Sequence, residues 1–240
     1  MAKDELLYEG KAKSIYSTEN PDELLSVFRD DMTAFNGEKK DCFSGKGVYN
    51  ASVSAFFFSM LEEKEIKTHF IRMADERSMV VSKLEMIPLE VLGRNRAAGS
   101  LVKKFPFEEG QVLNPPLVLT DYKSDERGDP PICEDVIYAL GFLTPEELKT
   151  VREMTLKINE TLFEFFDKLG LVLVDFKIEF GRLGNEIVLG DEISMDSMRL
   201  WDKETGESFD KDVYRFGKGD VMSAYARVVE KIEEWKKQNI

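Results

Sequence analysis

Residues 171–191 read LVLVDFKIEFGRLGNEIVLGD, and the fold turns on how this stretch is understood. Two apolar runs meet at Leu183-Gly184-Asn185, the pattern of a β-hairpin. In the first run Asp175, Lys177 and Glu179 alternate with Phe176, Ile178 and Phe180, so a period of two puts the charges on one face and the apolar side chains on the other. With a three-residue loop, Lys177 lies opposite Asp191 and Glu179 is the diagonal neighbour, Cα atoms ~7–8 Å apart. A solvated sheet face is the ordinary explanation of alternating charge. The continuous apolar run Leu171–Val174 argues instead for a strand covered on both faces, where charges must be paired or bound to a metal. Glu179 and Asp191 can then share Mg²⁺ with substrate phosphates, and Lys177 between them can hold an anionic substrate.

Upstream, Thr144-Pro145-Glu146-Glu147 reads as a capping box with proline at the first helical position, and Gly170 closes a helix whose stripe is Leu148, Val151, Ile158, Leu162, Phe165 and Leu169. A second stripe, Val53, Phe56, Phe57, Met60 and Leu61, marks a helix from Lys46 to Leu61. A third, Val221, Tyr225, Val228, Ile232 and Trp235, marks the last helix. Strands are expected at 24–28, 66–73 and 78–84, polar loops at 30–37, 114–131 and 194–202, and a hinge near Met86-Ile87-Pro88. The expected lobes are residues 1–86 and 87–240.

The chain has 240 residues and a formal charge of −13, which argues against a nucleic-acid surface but leaves room for local anion sites. Two distant cysteines and one histidine exclude a disulfide framework and a Cys/His zinc site, so the cytosol is the expected compartment. No apolar run approaches the length of a membrane span. His69, in KTHFI, reads as a strand-end residue.

Nucleotide fingerprints of the P-loop and GxGxxG kinds are absent, so a nucleotide site needs another construction. Gly10-Lys11-Ala12-Lys13 joins two strand-like runs and can cover phosphates, with backbone N–H groups near the glycine and two ammonium groups beside it; a plain surface turn has the same pattern. Lys83 and Met86 can flank an adenine at the hinge. Arg94 can bind phosphate through its fork and Ser100 can add a donor, although a surface arginine pair is the simpler reading of that segment alone.

Taken together, GKAK at 10–13, RNRAAGS at 94–100, the KxDxxxDP pattern at 123–130, VDFKIEFG at 174–181, VLGDEIS and RLWDKET resemble the SAICAR synthetase family over nearly the whole chain. The resemblance implies an α+β fold of two lobes with antiparallel sheets and an ATP cleft between them. It implies an ATP-dependent ligase that condenses carboxyaminoimidazole ribonucleotide with L-aspartate, with Mg²⁺, as a cytoplasmic homodimer. By residue it implies catalytic roles for Lys177 and Asp175; ATP contacts for Gly10, Lys11, Ala12, Lys13, Lys83, Met86 and Lys123; substrate contacts for Arg94, Ser100, Asp129, Arg199 and Arg215; and metal ligation by Glu179 and Asp191. A small-molecule kinase or another ATP-dependent ligase using the same cleft, and a non-catalytic nucleotide module in which Lys177, Glu179 and Asp191 pair with one another, are the alternatives.

Overall fold

The computed structural model describes residues 5–34 and 38–239. The first sheet comes from β1 (Leu6–Glu9), β2 (Lys13–Ser17), β3 (Glu23–Phe28), β6 (Phe70–Asp75) and β7 (Ser78–Ser82), in the order β1-β2-β3-β7-β6. Between β3 and β6 lie a small hairpin, β4 (Asp31–Ala34) with β5 (Lys39–Cys42), and helix α1 (Lys46–Glu62). That hairpin replaces the polar loop expected at 30–37; Phe35, Asn36 and Gly37 fall outside the described residues.

The second sheet begins three residues after the first sheet ends. It contains β8 (Glu85–Arg96), β9 (Val112–Tyr122), β10 (Leu171–Leu183) and β11 (Glu186–Gly190) in the order β11-β10-β8-β9, with β12 (Met198–Asp202) also pairing with β10. Every strand pair in both sheets is antiparallel. The helices here are α2 (Ser100–Lys104), α3 (Glu134–Ala139), α4 (Pro145–Lys168), α5 (Asp212–Phe216) and α6 (Val221–Asn239).

The expected capping box is present on α4: Thr144 Oγ1 accepts from the Glu147 N–H, and Glu147 accepts from the Thr144 N–H. Its apolar stripe packs on β10. The stripes of α1, α4 and α6 meet where Phe56 and Phe57 contact Phe165, Phe57 also meets Phe166, and Trp235 closes on Phe56 and Phe165, with centroids 5.2–6.0 Å apart. Each such aromatic, where fully buried, contributes ~1.5–3 kcal/mol, which ties the N-terminal helix to the core of the second sheet.

Three further loop expectations change. Residues 114–122 belong to β9 despite Pro115 and Pro116, because β9 is the sheet's edge and an edge strand can omit N–H donors on its free side. Residues 198–202 are β12, an added partner along the N-terminal half of β10. The hairpin turn has two residues, Gly184-Asn185, since Leu183 pairs with Glu186; Glu179 therefore faces Gly190, and Lys177 does not face Asp191.

Candidate active site

A cavity of about 670 Å³ opens where the two sheets face each other. Gly10, Lys11, Ala12 and Lys13 line it from the β1–β2 turn, which closes through the Gly10 N–H to the Lys13 carbonyl at 2.8 Å. Met86, Ile87 and Glu90 line it from β8, Lys177 and Glu179 from β10, and Lys123, Asp125 and Asp129 from the loop after β9. Ile15, Leu24, Val81 and Leu84 supply apolar surface for a flat ring. Lys83 is not brought in: it is exposed, lies outside the lining, and its backbone N–H is held by the Asp22 carbonyl.

The register alone would put Asp191 on the buried face of Ile178, because directly paired residues share a face. Asp191 reaches the cavity because β11 ends at Gly190 and Asp191 takes a left-handed backbone, φ +61°. Glu179 thus lines the cavity from the alternating face of β10, and a local turn brings Asp191 into the same lining.

Each lysine of the cavity holds one main carboxylate partner. Lys13 Nζ meets Asp191 at 2.5 Å and Glu192 at 3.5 Å; Lys123 Nζ lies 2.6 and 2.5 Å from the two Glu179 oxygens; Lys177 Nζ meets Glu90 at 2.5 Å. Lys11 forms an exposed pair with Asp125. Glu90 and Glu179 sit directly opposite on β8 and β10, a like-charge arrangement tolerated because Lys177 and Lys123 neutralise them. Burial, then the Asp191 charge, pushes the Glu179 carboxyl well above the usual carboxylate range. Burial would raise Asp191 too, but the Lys13 and Lys123 ammonium groups hold it below that range. Burial lowers the His69 imidazole to about 4, so it is neutral; it lines the same cavity at the entrance to β6, its Nε2 unpaired.

Four lysines and six carboxylates line this cavity. A polyphosphate entering it would meet net negative charge unless a cation accompanied it. Among the described residues no group of three or more His, Cys, Asp or Glu side chains is arranged to hold a metal; Glu179 and Asp191, both in the lining, are the two carboxylates that could ligate Mg²⁺ beside phosphate oxygens.

Asp175 is not in the lining, although it shares the alternating strand with Lys177 and Glu179. It organises a second cluster. Its carboxylate accepts from Arg199 Nη1 at 3.0 and 2.7 Å and from Arg94 Nη1 at 3.1 Å. Arg199 Nε donates to Asp212 at 2.8 Å, and Asp212 takes Arg215 Nη1 at 2.6 Å. Arg94 also donates to the Ala98 carbonyl and to Ser100 Oγ, leaving its buried Nε without a partner. Gly99 makes the approach possible: at φ +58°, an added Cβ would stand 2.5 Å from Arg199 Nη2. Gly93 has a packing reason of its own, since its Cβ would stand 2.4 Å from the Phe176 ring across the β8–β10 pair.

Arg94, Ser100, Arg199 and Arg215 are therefore brought together, while Asp129 stands apart in the cavity, at φ +47°, with its carboxylate accepting from the Ser124 N–H. Sequence reading misses Glu90, Glu192 and Asp212. Glu90 carried a signal, an acid inside the apolar run from Met86 to Gly93 of β8, opposite a charged strand; the other two appear only once the chain is folded.

A family model for SAICAR synthetase matches residues 6–232. The chain is 58% identical over 232 residues to the phosphoribosylaminoimidazole-succinocarboxamide synthase of Methanoculleus marisnigri, covering 97% of this chain and 96% of that protein. A crystal structure of phosphoribosylaminoimidazole-succinocarboxamide synthase from Ehrlichia chaffeensis superposes with a TM-score of 0.93 at 42% identity, over 95% of this chain and 98% of that one. A SAICAR synthetase in complex with ADP superposes with a TM-score of 0.91 at 49% identity, over 94% and 96%.

Proposed function

The chain belongs to the SAICAR synthetase family, and from that premise we propose how its two clusters divide the family's reaction. It is an ATP-dependent ligase of purine biosynthesis that condenses carboxyaminoimidazole ribonucleotide with L-aspartate to give SAICAR, ADP and phosphate. The cavity takes ATP. Its apolar wall, with Met86, receives the adenine, and Gly10, Lys11, Ala12, Lys13 and Lys123 receive the phosphates; the backbone beside Lys83, more than its side chain, serves the base. Glu179 and Asp191 are the residues that would hold Mg²⁺, which when bound neutralises phosphate charge during transfer.

The arginine cluster takes the ribonucleotide phosphate. Arg94, Arg199 and Arg215 supply charge-assisted donors and Ser100 a hydroxyl, while Asp175 acts by holding two of the guanidinia. Phosphate bound there aims the imidazole carboxylate at the cavity, where Lys177 and Asp129 meet its reacting end. A carboxylate is a poor electrophile. Transfer of the ATP γ-phosphoryl group to its oxygen creates a leaving group, and the neutral amine of aspartate then forms the C–N bond as phosphate departs with the C–O electron pair and takes up the proton that the nitrogen releases. Lys177 exchanges its Glu90 partner for the negative charge that develops during this exchange.

The observation that carries this reading is a cavity in which four lysines stand beside six carboxylates: the lysines suit a polyphosphate, and the excess of carboxylates suits a divalent cation that accompanies it. We further assign a nucleotide-covering unit to residues 1–86 and a substrate-binding and metal-binding unit to 87–240, acting in the cytoplasm as a homodimer without nucleic acid or membrane partners. The free, exposed Cys42 and Cys133 suit a reducing compartment. Among the described residues no helix is long and apolar enough to cross a membrane. The test is ADP release with the ribonucleotide, aspartate, ATP or Mg²⁺ omitted in turn. Full release without aspartate would identify a kinase and overturn the ligase assignment for this chain.

A further inference from the structure

Asp210 is fully buried and touches neither the cavity lining nor any guanidinium by hydrogen bond. Its two oxygens instead divide between two backbone segments: Oδ2 accepts from the Leu200 N–H at 2.9 Å, and Oδ1 from the Asp212 N–H at 2.7 Å. Leu200 follows Arg199 on β12; Asp212 opens α5, which carries Arg215. The chain returns between them alongside β12, with the Phe209 N–H on the Leu200 carbonyl.

We propose that Asp210 is a positioning residue for anion recognition: by tying the backbone of Leu200 to that of Asp212, its carboxylate sets the spacing between the Arg199 and Arg215 guanidinia. This rests on the reading of the arginine cluster as the ribonucleotide-phosphate site. Asp212 clamps both arginines through its side chain, but a clamp holds a geometry only if its own backbone is placed. Asp210 provides that placement at a cost. Burial and the adjacent Asp212 charge push its carboxyl up to about 7, so its ionised form is disfavoured where it stands. An asparagine would be isosteric yet has one acceptor oxygen, and its NH₂ would oppose one of the two N–H donors.

The test is Asp210→Asn, assayed with saturating co-substrates and each concentration varied in turn. The expected result is a rise of about ten- to a hundredfold in KM for the ribonucleotide, with KM for ATP within about twofold of the parent. Asp212→Asn should give the same selectivity, and the double variant should lose less than the product of the two single losses, because both act through one linkage. Multiplicative losses, or a lowered melting temperature with unchanged KM values, would overturn the proposal. If Asp210→Asn fails to fold, Asp210→Glu keeps both acceptors but displaces them by a methylene, and an unchanged ribonucleotide KM in that variant overturns it equally. Arg94→Lys separates the two readings. A large ribonucleotide effect there with none at Asp210 rejects positioning and keeps the phosphate site; no effect at either position rejects the phosphate site itself.

Discussion

The lysine cavity and the arginine cluster bind their carboxylates in different ways. Lys13, Lys123 and Lys177 each hold one main carboxylate partner at the end of a flexible stem, while Arg94, Arg199 and Arg215 are linked in series through Asp175 and Asp212. One-to-one lysine pairs can exchange a carboxylate for a phosphate without disturbing their neighbours. A serial arginine lattice resists such exchange, because moving one fork moves the next. The first arrangement suits a site where charge shifts during reaction, the second a site whose task is to stay still.

That contrast is tested most strongly at Glu179. Glu179→Gln should reduce Mg²⁺-dependent ADP release by about a hundredfold or more. It should do so without lowering the melting temperature, since the ionised carboxylate is opposed by burial and by Asp191, and a neutral isostere removes that opposition. A cavity merely filled by mutual ion pairs gives the reverse pattern, lost stability with turnover kept.

At Arg94 the change keeps the charge and removes the fork. Arg94→Lys gives up the paired contacts to Asp175, Ala98 and Ser100, and should raise the ribonucleotide KM by about ten- to fiftyfold while ATP affinity, measured by calorimetry without ribonucleotide, stays near that of the parent. Equal losses for both ligands would mean that the two clusters are one site.

The alternating charges of β10 announced a site, and the resemblance of RNRAAGS and RLWDKET pointed to the arginines; neither could say that Asp175 leaves the cavity to its strand-mates. Period-two alternation assigns a face, yet one long strand face spans both clusters, and where the division falls depends on β12 joining β10 only along its first half. Asp191 illustrates the same limit. Its placement needs a left-handed residue just past a strand end, a position where no glycine warns of it. The capping box of α4 and the stripes of α4 and α6 were legible because they depend on neighbours a few residues away, whereas α1 also buries Asn50, Ser54 and Phe58 outside its expected stripe.

A smaller effect is expected from pH. With its carboxyl held above the ordinary range, Glu179 takes up a proton before an unperturbed glutamate does as pH falls. A raised folded-state pKa favours the empty fold at lower pH and loses that contribution as pH rises through it, whereas Mg²⁺ needs the ionised form. Magnesium-dependent ATP binding should therefore weaken several-fold from about pH 8 to about pH 6, by calorimetry, and Glu179→Gln should abolish that dependence. A pH dependence retained in the variant would assign it to another group.

The smallest effect is expected at Lys83, one of the lysines that the sequence places beside the nucleotide. Its side chain is exposed and outside the cavity lining, while its backbone N–H is fixed by the Asp22 carbonyl and its neighbours Ser82 and Leu84 line the cavity. The useful part of residue 83 is thus its main chain, which any residue other than proline reproduces. An exposed lysine near a charged ligand contributes at most ~0–1 kcal/mol through a screened field. Lys83→Ala should leave KM for ATP within about twofold, and the small change that remains should vanish when ionic strength is raised. Lys83→Pro removes the N–H to Asp22 and should raise KM for ATP more than the alanine does. If the alanine variant loses as much ATP affinity as the proline variant, the side chain turns into the cavity when nucleotide binds, and the flexible, one-to-one character argued for the lysine cavity extends to a fifth lysine.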